Sequence, residues 1–270
     1  FMKAITETLP LYQTIALRGV VAVIGLLVIG AVRGGLTVRL PRHDLILIAL
    51  RSLADVAATI LFLTALMHMP LANLSAVMQA IPLAVTLGAA LFYGDRIGWR
   101  RMTAIGVGFV GVMIIIRPGS DGFSIWAVLG LGSVLAVMLR DLSVRRLSPA
   151  VPSILVALGA GVAVTAMGFI GTAFEGWAAM DLTHDLMVLA AGLMLIIGYI
   201  CAVSAMRVGD VGFVAPFRYT SLLWAIVLGW LAFGNLPDLY ALIGASIVVA
   251  TGIYTLLRER KLGREARRRA

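Results

Sequence analysis

Val211–Asn235, VGFVAPFRYTSLLWAIVLGWLAFGN, is one apolar run with a proline and an arginine in its first half. A run of the same length lies upstream, Leu71–Asp95, LANLSAVMQAIPLAVTLGAALFYGD. Laid over each other, Ala65 meets Ala205, Gly94 meets Gly234 and Asp95 meets Asn235, each pair 140 residues apart. Further on the offset slips by one, and Gly111 meets Gly252. The hydropathy pattern repeats more fully than the identities do. Two related halves are therefore expected.

Over 270 residues the chain is 61% hydrophobic, with a mean hydropathy of +1.03. A soluble chain of this length needs more polar surface to cover its core. The composition points to an all-α, polytopic helical membrane protein. The net charge of +9 does not indicate nucleic acid, because the arginines sit in short loops and in the tail, where membrane topology puts them. Cys201 is the sole cysteine and lies inside a span, so no intrachain disulfide is possible. Phe1–Pro10 is short and carries Lys3 and Glu7, unlike a signal peptide.

A helix needs about 20 apolar residues to cross the hydrocarbon core. Nine spans are expected, near 11–32, 45–68, 71–93, 98–116, 123–140, 150–173, 185–206, 211–233 and 238–257. Loop charge orients them. One set of loops holds Arg33, Arg39, Arg42, Arg96, Arg100, Arg101, Arg140, Arg145, Arg146 and Arg207, and the tail is basic. The alternate loops hold Lys3 and Arg117 among six acids, Glu7, Asp121, Glu175, Asp181, Asp185 and Asp238. Basic loops face the cytoplasm, so the tail is expected there, in a bacterial inner membrane. The second half, from near Phe123, holds five spans and the first shows four, so the repeat predicts a further helix largely missing before Phe1. Five spans per half would turn the second copy upside down relative to the first, the inverted plan of many secondary transporters. The expected division is 1–118, 119–257 and a basic tail, 258–270.

Charges inside spans are costly unless paired or facing water, so each is a candidate for function. Arg51 and Asp55 are spaced i, i+4 on one helix face. They are expected to form a local salt bridge. Proton coupling through Asp55, or snorkelling of Arg51 to the headgroups, is the alternative. Arg18 is expected to serve as a structural contact. Arg218 follows Pro216, which removes a backbone donor and leaves carbonyls that need partners. It would either bind an anionic group or hydrogen-bond those carbonyls. Gln79 and Pro82 fall at nearby depth in the first copy, suggesting a site between the two matching helices. Tyr199, Tyr219 and Trp224 lie within spans and either line a cavity or pack. Gly106, Gly108, Gly111, Gly168 and Gly171 fit close helix packing. Gly106–Gly111 satisfies GxGxxG literally but lies mid-span with no preceding strand, so it is no nucleotide loop.

Two segments carry a resemblance: Pro70–Ile115, PLANLSAVMQAIPLAVTLGAALFYGDRIGWRRMTAIGVGFVGVMII, and Val214–Arg260, VAPFRYTSLLWAIVLGWLAFGNLPDLYALIGASIVVATGIYTLLRER. With Leu17-Arg18 early in a span, they resemble the EamA domain of the drug/metabolite transporter superfamily. Asn235 stands where that pattern usually has an acid. The resemblance implies ten spans, both termini cytoplasmic, a central cavity and alternating access, with no bound cofactor. It implies a carrier of a small organic metabolite but gives no substrate; the leading reading is an exporter of amino acids or related compounds. Import of a solute such as S-adenosylmethionine or riboflavin is the alternative. The implied partners are a small-molecule substrate and the lipid bilayer; the sequence leaves the oligomeric state open, with a monomer favoured. An intramembrane enzyme acting on a lipid-linked substrate is disfavoured. That chemistry needs clustered acids or a nucleophile beside a base, and Asp55 is the only acid deep in any expected span.

Overall fold

The computed structural model describes residues 2–33, 40–94, 98–118, 124–148, 150–208 and 218–269. Within them, the side chains at 33, 199–200, 202–208 and 259–269 are not described. Every regular element among these residues is a helix, as the hydrocarbon demands: a helix satisfies its backbone within itself. A short α1, Met2–Ile5, is followed by α2, Leu11–Arg33, and α3, Arg42–His68. Next come α4, Leu71–Met78, α5, Ile81–Tyr93, and α6, Trp99–Ile116. The remainder are α7, Ile125–Arg145, α8, Ser153–Glu175, α9, Leu182–Val208, α10, Thr220–Phe233, and α11, Leu239–Arg269. Taking α4 and α5 as one run, seven of these are long and apolar enough to cross a membrane among the described residues. The apolar parts of α9 and α10 that are described are shorter, Leu182–Gly198 and Thr220–Phe233. Seven of the nine expected spans are thus matched, and the other two, 185–206 and 211–233, extend beyond the fully described residues.

Local chemistry explains the boundaries. The 71–93 run is split because Pro82 brings no amide to the ladder, so the chain makes a tight turn at Gln79-Ala80 and restarts at Ile81. There Gln79 N donates to Ala76 O and Ala80 N to Val77 O, at 3.2 and 3.0 Å. The second copy restarts at Thr220, after a turn at Arg218-Tyr219. Both restarted helices end on a left-handed glycine, Gly94 at φ +69° and Gly234 at φ +64°. Only glycine enters that region without steric cost, so the repeated glycine has a backbone reason.

The residues form two compact units. Unit 1 is Phe1–Met67 with Leu139–Val203, and unit 2 is His68–Met138 with Ser204–Ala270, so each draws on both sequence halves. In unit 1, α2 packs on α8 through small residues. A Cβ at Gly168 would come within 2.6 Å of the Ala16 backbone, and one at Gly171 would overlap the Tyr12 ring. Gln13, fully buried, clamps the Ala178 peptide with both ends of its amide. Its Nε2 donates to Ala178 O at 2.9 Å, and its Oε1 accepts from Ala178 N at 2.8 Å. In unit 2, α6 packs on α11, where a Cβ at Gly111 would lie 2.8 Å from Gly244 O. Gly108 packs under Leu83 and Thr251, whereas Gly106 has nothing within 4 Å, so the packing role expected of it is not met. The whole GxGxxG run is helical, inside α6.

Candidate functional site

A cavity of 450 Å³ lies within unit 1. Its walls follow from helical periodicity. From α3 it takes Arg51, Asp55 and Thr59, at i, i+4 and i+8, one straight stripe. From α2 come Arg18, Gly19, Ala22 and Leu26, and from α8 come Ala157, Ala160, Gly161 and Val164. Arg140 of α7 and Met194–Ile196 with Gly198 of α9 complete the lining. Small residues on α2 and α8 leave the space that larger side chains would fill. The volume falls in the range of small-molecule pockets, about 300–1,000 Å³.

The charges are organised around Asp55. Arg51 Nη1 lies 3.2 Å from its Oδ2, and Arg140 Nη1 lies 3.1 Å from its Oδ1. Arg140 also reaches Asp141 through Nε at 3.0 Å, and Arg51 donates to Val156 O at 3.1 Å. Both side chains of the Arg51–Asp55 pair are only 16% exposed. The expected i, i+4 pair is thus present, extended by a third member. Arg140 was expected among the basic loop residues, but α7 continues to Arg145 and carries Arg140 inside the helix. No local spacing signals that contact, because Arg140 is 85 residues away from Asp55 in sequence.

Arg18 is different. It lines the same cavity, yet it makes no hydrogen bond or ion pair among the described residues, and its Nε is fully buried without a partner. The structural contact expected of it is not seen there.

The remaining candidates lie in unit 2, apart from Tyr199. Gln79 is buried at the α4–α5 turn, and its Nε2 donates to Ser75 O and Ser221 Oγ, both at 3.2 Å. The Ser221 contact joins the first-copy turn to α10, the matching helix. Ser221 Oγ in turn donates to Arg218 O at 2.7 Å. The Arg218 side chain is exposed, while Tyr219 is buried with its hydroxyl unpartnered. A Cβ at Gly252 would overlap that hydroxyl. Trp224 is 64% exposed. Gln79, Ser221 and Tyr219 thus mark a second polar locus. Pro216 and the Tyr199 side chain lie outside the described residues.

Residues 1–117 match the EamA-like transporter family. The chain is 28% identical over 193 residues to the riboflavin transporter of Vibrio cholerae, covering 71% of this chain and 64% of that protein. The match thus spans less than two thirds of that relative's length. It is 26% identical over 261 residues to the pseudopaline exporter of Pseudomonas aeruginosa, covering 93% of this chain and 88% of that protein. A solved crystal structure superposes with a TM-score of 0.67 at 19% identity, covering 94% of this chain and 90% of the other. That likeness carries the fold. The chain is an integral membrane protein of helices.

Proposed function

We propose that this chain is a secondary carrier that moves a small organic metabolite across the bacterial inner membrane by alternating access. Its proposed direction is export, and its proposed substrates are amino acids or related compounds. The observation that carries the reading is the unit 1 cavity: a space of small-molecule size, apolar over most of its wall and charged at Arg18, Arg51, Asp55 and Arg140. Such a lining holds an organic solute by its apolar body and orients it by its charge. The match to an exporter over most of both chains supports the direction. Loop charge supports a cytoplasmic tail. In this reading Gln79 and Tyr219 form a secondary polar contact, with Arg218, Trp224 and Tyr199 as further substrate-facing candidates. Import of a solute such as riboflavin is the second reading, favoured by the Vibrio cholerae relative.

The test is counterflow in liposomes holding the purified chain, with a panel of radiolabelled amino acids and riboflavin. Saturable exchange of an amino acid supports the first reading. Exchange of riboflavin alone moves the substrate to the second. Failure of every solute to exchange overturns both substrate assignments.

A further inference from the structure

Among the described residues, the cavity contains one cation with no counter-charge. Asp55 and Asp141 both engage Arg140, and Asp55 also engages Arg51. Formally, the two acids balance these two arginines. Arg18 is left over, on the wall of the same cavity, with its Nε buried and unpartnered. A guanidinium withdrawn from water without an anion or acceptors is strongly disfavoured, more so within a membrane span. Structural arginines in such places are normally tied to carbonyls or carboxylates, as Arg51 is to Val156 O and Asp55. Arg18 has neither, yet it opens onto a space large enough for a solute.

We infer that Arg18 is the docking point for the anionic group of a transported solute, and that the solute class is an amphiphilic organic anion. The proposal deepens the carrier reading and rests on it for the word transported. The guanidinium presents a planar fork of donors that matches a carboxylate or a phosphate monoester in two-point geometry. Beyond Arg18 the α2 wall continues through Ala22 to Leu26, eight residues or about 12 Å along the helix. Across it α8 offers Ala160 and Val164. An apolar body of bicyclic size therefore fits beside the anionic head. The charges of the Arg51–Asp55–Arg140 group are already paired with one another and with Asp141, so the group offers an anionic solute far less than Arg18 does.

The probes are three acids, each paired with its uncharged amide: N-acetyltryptophan and N-acetyltryptophanamide, nicotinate and nicotinamide, benzoate and benzamide. Binding to the full chain is measured calorimetrically in a neutral detergent, for wild type, Arg18→Gln and Arg18→Lys. At least one acid is expected to bind about tenfold or more tightly than its amide, the loss expected when one charge-assisted pair is removed. That preference should vanish in Arg18→Gln, with the amide's affinity within about twofold, and return in part in Arg18→Lys. No preference for any acid in wild type overturns the proposal, as does a preference that survives Arg18→Gln. Abolition of acid binding by added phosphatidylglycerol would assign Arg18 to a lipid phosphate and overturn the solute assignment. Counterflow separates the two readings. Acid binding at Arg18 without flux of any solute sinks the carrier and keeps the anion site. Flux of a neutral solute unaffected by Arg18→Gln, with no acid preference, keeps the carrier and sinks the anion site.

Discussion

Unit 1 and unit 2 are built from the same kinds of helix but spend their unusual residues differently. In unit 1 the exceptions are charges: Arg18, Arg51, Asp55 and Arg140 open onto a cavity between helices that small residues elsewhere hold together. In unit 2 the notable exceptions are glycines: Gly108 and Gly111 on α6 and Gly244 on α11 let two backbones come together. Lipid supplies no hydrophobic drive between helices, so association must come from such close packing or from polar contacts. The contrast teaches that an unusual residue in a span is read by what surrounds it. A charge beside a charge holds helices, a glycine beside a glycine holds helices, and a charge beside empty space points to a ligand.

Asp55→Ala tests the first of these most severely. It leaves two guanidiniums facing the cavity without their carboxylate and should cost about 3–5 kcal/mol, the usual penalty for breaking a buried pair from one side. Thermal unfolding in detergent reads it, and an unchanged Tm would mean that the triad does not hold unit 1. Gly111→Leu tests the second. It forces side-chain atoms against the Gly244 carbonyl, and overpacking of this kind costs about 1–3 kcal/mol or prevents folding. The yield of monodisperse protein on size exclusion should fall, and wild-type yield would remove the glycine argument. Gln13→Ala belongs to neither class. It leaves both backbone groups of Ala178 unpaired and should cost about 1–3 kcal/mol.

Arg18→Gln sharpens the comparison from the other side. Because Arg18 has no partner to lose, stability should change by less than about 1 kcal/mol or rise, while anion binding falls. A loss as large as that of Asp55→Ala would make Arg18 a structural residue after all. The smallest effect is at Asp181, the residue before α9. Its carboxylate accepts from the His184 amide at 2.8 Å, which holds it below the ordinary carboxylate range, with the His184 ring adding to the effect. A depressed folded-state pKa gives stability that is present above the unfolded value of about 4 and lost as pH falls below it. Between pH 7 and 5 Asp181→Asn should therefore melt slightly below wild type by a constant interval, and the two curves should converge only below pH 4.

Much of this was legible in the amino acids, and the limits are instructive. Spans follow from hydropathy because membrane helices cannot leave the backbone unsatisfied. The Arg51–Asp55 pair follows from a spacing of four. The helix restart near Gln79 has its cause in Pro82, yet 71–93 reads in sequence as one apolar run. Arg140 did not announce itself, because a charge near a helix end looks the same whether it faces lipid headgroups or a carboxylate from another helix. Nor did the importance of Arg18, since being unpartnered is a property of neighbours and not of sequence. Arg218 shows the converse. Its proline context marked it, yet its side chain is exposed, and the ordered polar contacts nearby belong to Gln79, Ser221 and backbone oxygens.

The Gln13 clamp on Ala178 has a practical consequence in the time domain. An amide held by a buried side chain exchanges its hydrogen with solvent only when that side chain lets go. Ala178 therefore acts as a built-in clock for the separation of α2 from the segment between α8 and α9. A single resolved peptide in a deuterium-labelling experiment would report how often that end of unit 1 comes apart, with and without solute, and without any engineered probe.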